Sequence, residues 1–257
     1  MAIDWLARMR FMFNKAAARI DSRLNLDDID RYWNYPRAGD PFLEAYQESR
    51  RLTGSSDDLA KQMRFHTLMQ AVSRVASGRV AGDVAECGCW HGHSSHMIAR
   101  ALSASEWAGR LLIFDSFEGG LSDKGVQDRA QLGDTDPDET LRQKQVFASD
   151  PQAVAAVLSP FDFVELHKGW IPEVFAEVEG LEARRFALVH IDVDLYAPTL
   201  ESLRFFAPRM SRGGVIVVDD YASSHFPGAT AAVDEFIVEH PPELALAGQT
   251  GGMTLLY

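Results

Sequence analysis

Cysteine is almost missing from this chain, long apolar runs are missing altogether, and basic residues are outnumbered. Only two cysteines, Cys87 and Cys89, stand among 257 residues. That is too few for the disulfide framework of a small secreted domain or for a zinc cluster. Two residues apart, they read as small side chains packing on one face of a strand. No apolar run reaches the ~18 residues of a membrane-crossing helix. The 25 basic residues face 37 acidic ones, for a net charge of −12. Such a balance disfavours nucleic acid, whose phosphates want a basic surface, and suits a cytoplasmic enzyme. With 46% hydrophobic and 24% charged residues, wholesale disorder is excluded, and the length allows one α/β domain with a full core.

Basic residues gather at the N-terminus. "MAIDWLARMRFMFNKAAARI" (1–20) sets Trp5, Leu6, Met9, Phe13 and Ala17 at roughly helical spacing among Arg8, Arg10, Lys15 and Arg19. Arg8 and Arg10 interrupt any signal-peptide core. The stretch is expected to be a helix packing on its own domain or on a sister subunit, as in a homo-oligomer. Lying on an anionic membrane surface is the second reading. Residues 1–80 lack strand patterns and read as a helical cap with a loop around "NYPRAGDPF" (34–42); residues 81–257 read as the catalytic domain.

From residue 82 one pattern repeats: apolar run, turn, helical stretch, apolar run. Strands are expected at 82–88, 110–116, 161–169, 186–192 and 213–221, and helices at 94–103, 138–148, 171–178, 198–210 and 228–240. Residues 118–137 read as a loop, and "ELALAGQTGGMTLLY" (243–257) as an antiparallel hairpin. Strands alternating with helices predict βαβ units, a parallel sheet and helices on both faces. Ligands of such sheets sit beyond the carboxyl ends of the strands.

Those ends carry the chemistry. The first strand runs into "ECGCWHGHSS" (86–95), where Gly88 and Gly92 permit a tight turn and close ligand approach. The spacing departs from G-x-G-x-x-G. Glu86 disfavours a pyrophosphate there and suits an ammonium or sulfonium group. Asp115 ends the second strand, the usual place for an acid that binds ribose hydroxyls. Asp192, Asp194, Asp219 and Asp220 crowd the ends of the fourth and fifth. Four such acids repel unless a cation stands among them, and hard oxygen ligands favour Mg²⁺, Mn²⁺ or Ca²⁺ over zinc. His190 reads as a hydrogen-bonded core histidine, and His91, His93 and His96 as loop and helix-start residues. Trp170, beside Gly169, is placed to cover an adenine or to pack.

In order and spacing, "DVAECGCWHGHSS", "IFDSFEG", "HKGWIPEVF", "HIDVDLYAPT", "GGVIVVDDY" and "AVDEF" resemble the macrocin O-methyltransferase family, over about residues 81 to 238. The resemblance implies a Rossmann-like class I S-adenosylmethionine-dependent methyltransferase, with a seven-stranded sheet of order 3-2-1-4-5-7-6 and one antiparallel strand. It implies that Asp192, Asp219 and Asp220 bind Mg²⁺ (or Mn²⁺). Glu86, Gly88, Asp115 and Ser116 would line the cofactor site, joined by Gly169 and Trp170, and Asp194 would be the general base. The acceptor would be a sugar hydroxyl of a glycosylated natural product. A catechol-type aromatic O-methyltransferase is the alternative. A nicotinamide-dependent oxidoreductase and a non-catalytic relative of the fold stand further off: the first leaves four acids without a role, and the second is disfavoured by a full set of acids.

Overall fold

Five apolar runs between residues 83 and 218 pair in parallel: β1 (Asp83–Cys87), β2 (Leu111–Asp115), β3 (Val164–Lys168), β4 (Phe186–Ile191) and β5 (Met210–Val218). Two further strands, β6 (Leu244–Ala247) and β7 (Met253–Leu256), complete a sheet of order β3-β2-β1-β4-β5-β7-β6. Strand β7 runs antiparallel to both of its neighbours. This is the expected topology. The computed structural model describes residues 41–118, 124–129, 145–223, 225–248 and 251–257. Outside them lie the expected basic N-terminal helix and any subunit contact it makes, most of the 118–137 loop, most of the 138–148 helix and the middle of the closing turn.

Strand β4 is buried along its whole length, because helices cover both faces of the sheet. A strand so placed is apolar throughout rather than alternating. One face carries α6 (Tyr196–Phe206) and α7 (Pro227–Glu239), whose Phe206 and Phe236 share a core with Phe114 and Phe186. The other carries α2 (Leu59–Ser77) and α3 (His93–Ser103). There Leu68, Val72 and Val75 of α2 join Ile98 of α3 and Leu188 and Val215 of the sheet. Asp58 caps α2 by accepting the Lys61 N–H at 2.8 Å.

The chain divides into two compact units, Met1–Glu44 and Ala45–Tyr257. Of the first, only residues 41–44, the start of α1 (Pro41–Thr53), are described. Helix α2 is part of the unit that holds the sheet. Within it His93 Nε2 donates to the Tyr46 carbonyl at 3.1 Å, and His96 Nδ1 meets Ser49 Oγ at 2.8 Å. These two histidines tie α1 to the first turn of α3. Among the described residues no helix is long and apolar enough to cross a membrane.

The structure differs from the sequence expectations at several points. Helix α4 (Pro151–Leu158) was not expected, although Asp150 accepts the Gln152 N–H as an N-cap and Pro151 opens the helix. Strand β3 starts later than expected, at Val164, and β5 starts earlier, at Met210. Cys87 and Cys89 do not share a face. Both are free and buried, but Cys87 packs with Phe114 and Cys89 in the opposite core with Ile98. The strand ends at Cys87, and Gly88 follows at φ +83°, so strict alternation stops there.

Candidate active site

Backbone hydrogen bonds lace the strand ends into one rim. The Asp192 N–H donates to the Cys87 carbonyl at 2.8 Å, Asp219 N–H to Ile191 at 2.9 Å, and Gly169 N–H to Asp115 at 2.9 Å. Loops leaving neighbouring strands therefore start in fixed register. Gly88 sets the closest approach: a Cβ there would overlap the Asp192 carbonyl. With its positive φ, the position suits glycine alone.

Above the rim opens a cleft. Gly88, Asp115, Ser116, Gly169, Trp170, Asp192 and Asp194 all line it. Six of these are expected cofactor or base residues, and Asp192 is an expected metal ligand. Phe114, Phe147 and Ile171 supply apolar wall. Phe147 stands outside every motif, and only the fold brings it here.

Asp115 is a fastener as well as a wall. Its Oδ2 accepts the N–H groups of Cys89 and Trp90 at 2.8 and 3.0 Å, and Oδ1 accepts that of Phe117 at 2.8 Å. The acid of β2 thus holds the turn after β1 in place. Each carboxylate oxygen has two lone pairs, so Oδ1, which accepts once, can still accept a ligand hydroxyl.

Glu86 stands elsewhere. It is fully buried and does not line the cleft. Its side chain accepts from Ser95 Oγ on one side and meets His190 Nδ1 at 2.9 Å on the other. Burial opposes charge on His190, yet the Glu86 bond and field raise its pKa above the ordinary value. The two form a fully buried hydrogen-bonded pair across neighbouring strands. The sequence places Glu86 at a strand end, but its side chain is taken up by Ser95 and His190 and does not line the cleft.

The four aspartates come together unevenly. Asp192, Asp194 and Asp220 each offer an oxygen, and these atoms lie within 4.8 Å of one another. Asp194 does not continue the pleat of β4. The strand stops at Ile191, and a left-handed residue at 194 (φ +63°) turns the carboxylate back toward Asp220. Burial pushes the Asp192 carboxyl up to about 7, with the Asp219 charge adding to it. Burial and the neighbouring acids raise Asp194 and Asp220 well above the carboxylate range. Asp220 Oδ2 is buried without a hydrogen-bond partner. A buried unpaired acceptor is costly, and a divalent cation among three carboxylates removes that cost. The donor set is all oxygen and fits Mg²⁺ or Mn²⁺.

Asp219 is not among those three. Its Oδ2 accepts from Arg64 Nε at 2.7 Å, across 155 residues of chain. One turn earlier, Lys61 Nζ lies over Phe65 and Trp90, at 5.4 and 5.7 Å from the ring centroids. Both cations come from α2, which sequence motifs left without a role; only the helical spacing of Lys61 and Arg64 hints that they share a side.

The family of such a sheet with such acids can be established by comparison. A family model described as macrocin O-methyltransferase matches residues 44–243. The chain belongs to the macrocin O-methyltransferase family. Over 162 residues it is 31% identical to the 8-demethyl-8-(2,3-dimethoxy-alpha-L-rhamnosyl)-tetracenomycin-C 4'-O-methyltransferase of Streptomyces olivaceus. That match covers 62% of this chain and spans 60% of the relative's length. It is 27% identical to the demethyldecarbamoylnovobiocin O-methyltransferase of Streptomyces niveus, over 75% of this chain and 72% of that one. Among solved structures it is similar to the O-methyltransferase NovP, with a TM-score of 0.59 and 25% identity over 76% of this chain and 79% of that one.

Proposed function

We propose that this member of the macrocin O-methyltransferase family transfers a methyl group from S-adenosylmethionine to a hydroxyl of a glycosylated natural product, with a divalent ion, Mg²⁺ or Mn²⁺, among its strand-end acids. The observation that carries the reading is the meeting of two features at one rim. A cleft lined by Asp115, Ser116 and Trp170 opens onto a group of buried, mutually repelling carboxylates, one with an orphaned oxygen. The relative named for 4'-O-methylation of a rhamnosyl-bearing tetracenomycin supports the acceptor class.

When bound, the cofactor supplies a methyl group already activated on a positive sulfur, and the ion supplies the Lewis acidity that lowers the pKa of a hydroxyl. The rest falls to the chain. Asp115 and Ser116 would hold the cofactor's ribose, and Trp170 and Ile171 would shield its adenine from water. Asp192, Asp219 and Asp220 would hold the ion. Asp194, lining the cleft and standing beside Asp192 and Asp220, would accept the proton that the acceptor hydroxyl loses. A positioned base of this kind contributes ~10²–10⁴-fold.

One observation favours a second assignment within the same function. The three oxygens that cluster include Asp194 and not Asp219, as they would if Asp194 were the third ligand. Asp194→Asn separates the two. As the base, it loses roughly 10²-fold or more in turnover and keeps its Mn²⁺ affinity. As a ligand, it loses the ion. Calorimetry with S-adenosylmethionine and with NAD tests the cofactor; tight NAD binding without S-adenosylmethionine binding would overturn the reading.

A further inference from the structure

Lys61, in the first turn of α2, belongs to no motif and has no acid partner within ion-pair distance among the described residues. Its Nζ donates to the Ser56 carbonyl at 3.3 Å. An ammonium carries three N–H donors, so two are left over. The side chain is half-buried, and Nζ lies 5.4 Å from the Phe65 ring centroid and 5.7 Å from that of Trp90. Its charge opposes protonation of His91 and His93, which follow Trp90, and Asp192 is the first acid whose field acts on it. Trp90 and Asp192 both line the cleft. Lys61 therefore stands beside the cleft where β1 and β4 end.

The cleft crosses four strand ends in sheet order: Gly169 and Trp170 after β3, Asp115 and Ser116 at β2, Gly88 and Trp90 after β1, Asp192 and Asp194 after β4. With its nucleoside over β3 and β2, as proposed above, the cofactor would carry its methionine part over β1 and β4. That part ends in an ammonium and a carboxylate. The acids gathered there attract the first and repel the second. A carboxylate in their field needs a cation, and Arg64 is already engaged by Asp219. We propose that Lys61 binds the carboxylate of the cofactor's methionine part, with the N–H donors that Ser56 leaves over. This rests on the S-adenosylmethionine reading above. It makes α2 a wall of the cofactor site, reached by a flexible four-carbon stem.

The test is calorimetry on the full chain with two ligands, and no turnover is involved. One is S-adenosylhomocysteine. The other is its decarboxylated analogue, S-adenosyl-3-thiopropylamine, which keeps the ammonium and lacks only the carboxylate. The wild-type chain is expected to prefer the first by about tenfold or more, as for a hydrogen bond between charged groups. Lys61→Met keeps the stem and removes the charge. It should bring S-adenosylhomocysteine down to the analogue's affinity and leave the analogue no weaker, while Lys61→Arg retains part of the preference. If Lys61 merely offset the charge of Asp192, its loss would move both ligands alike, and that result overturns the proposal. Equal wild-type affinities overturn it too, as does an unchanged preference in Lys61→Met. Lys61→Gln guards against a packing defect beside Phe65 and Trp90, which a melting curve would show: a preference that survives in a folded Lys61→Gln chain also overturns it. If the wild-type chain binds neither ligand, the S-adenosylmethionine reading itself falls, and the proposal with it.

Discussion

A methyl group at position 88 would land on the carbonyl of Asp192. It would also force an L-residue to φ +83°, at roughly 1–2 kcal/mol for the backbone alone. Gly88→Ala is thus expected to lower both melting temperature and turnover, because the displaced backbone is that of a strand-end acid. An activity assay beside a thermal melt checks this, and wild-type turnover would remove Gly88 from the site's construction. At this scale much was readable in the sequence. Asp115, Asp192, Asp194, Asp219 and Asp220 stand at ends of apolar runs, and a strand end fixes where a residue sits. It does not fix where the side chain points. Glu86 stands at such an end, yet its side chain does not line the cleft. Its partners are Ser95 and His190, the latter 104 residues away. Arg64 escaped for the same reason, since nothing within one helix announces a carboxylate 155 residues on.

Helix α6 begins two residues after Asp194 and lacks a capping side chain of its own, for Leu195 occupies that position. The cap comes from a distant loop. Asp128 is 3% exposed, and its Oδ1 accepts the Tyr196 N–H at 2.7 Å while Oδ2 accepts that of Gly125 at 2.8 Å. Gly228, at the start of α7, has no room for a Cβ because this carboxylate fills the space. One acid therefore joins the 124–129 segment, α6 and α7. Asp128→Ala is expected to cost about 0.5–2 kcal/mol, as for lost N-caps, and to speed hydrogen exchange at Tyr196. Unchanged exchange there would show that the cap is dispensable. Apolar periodicity found every strand and most helices, because a sheet covered on both faces demands continuous apolar runs. Short helix α4 was missed despite the Asp150–Pro151 start signal, since eight residues hold too few turns for a period to show.

Across the whole molecule, the buried acids set how stability responds to pH. Their folded-state pKa values are raised, Asp192 to about 7 and Asp194 and Asp220 well up. A raised acid favours the folded chain while protonated, and that contribution is lost as pH rises through the folded value. In chelator, the chain is expected to melt at a higher temperature at pH 6 than at pH 8, and Asp192→Asn to shrink the difference. Mg²⁺ should reverse the trend at pH 8. At a hundredfold excess over its Kd an ion adds about 2.7 kcal/mol, or roughly 5–10 °C for a chain of this size. A melting temperature indifferent to pH and Mg²⁺ would contradict the electrostatics of the strand ends. The two cysteines then offer a clock that needs no added label. Cys87 is 0% exposed within the sheet's core, whereas Cys89, at 5%, lines the cleft. A thiol-specific reagent should reach Cys89 whenever the cleft breathes and Cys87 only when the whole sheet opens. Filling the cleft should slow the first reaction far more than the second. The rates of two thiols two residues apart would then separate the local motions of the binding site from the global lifetime of the fold.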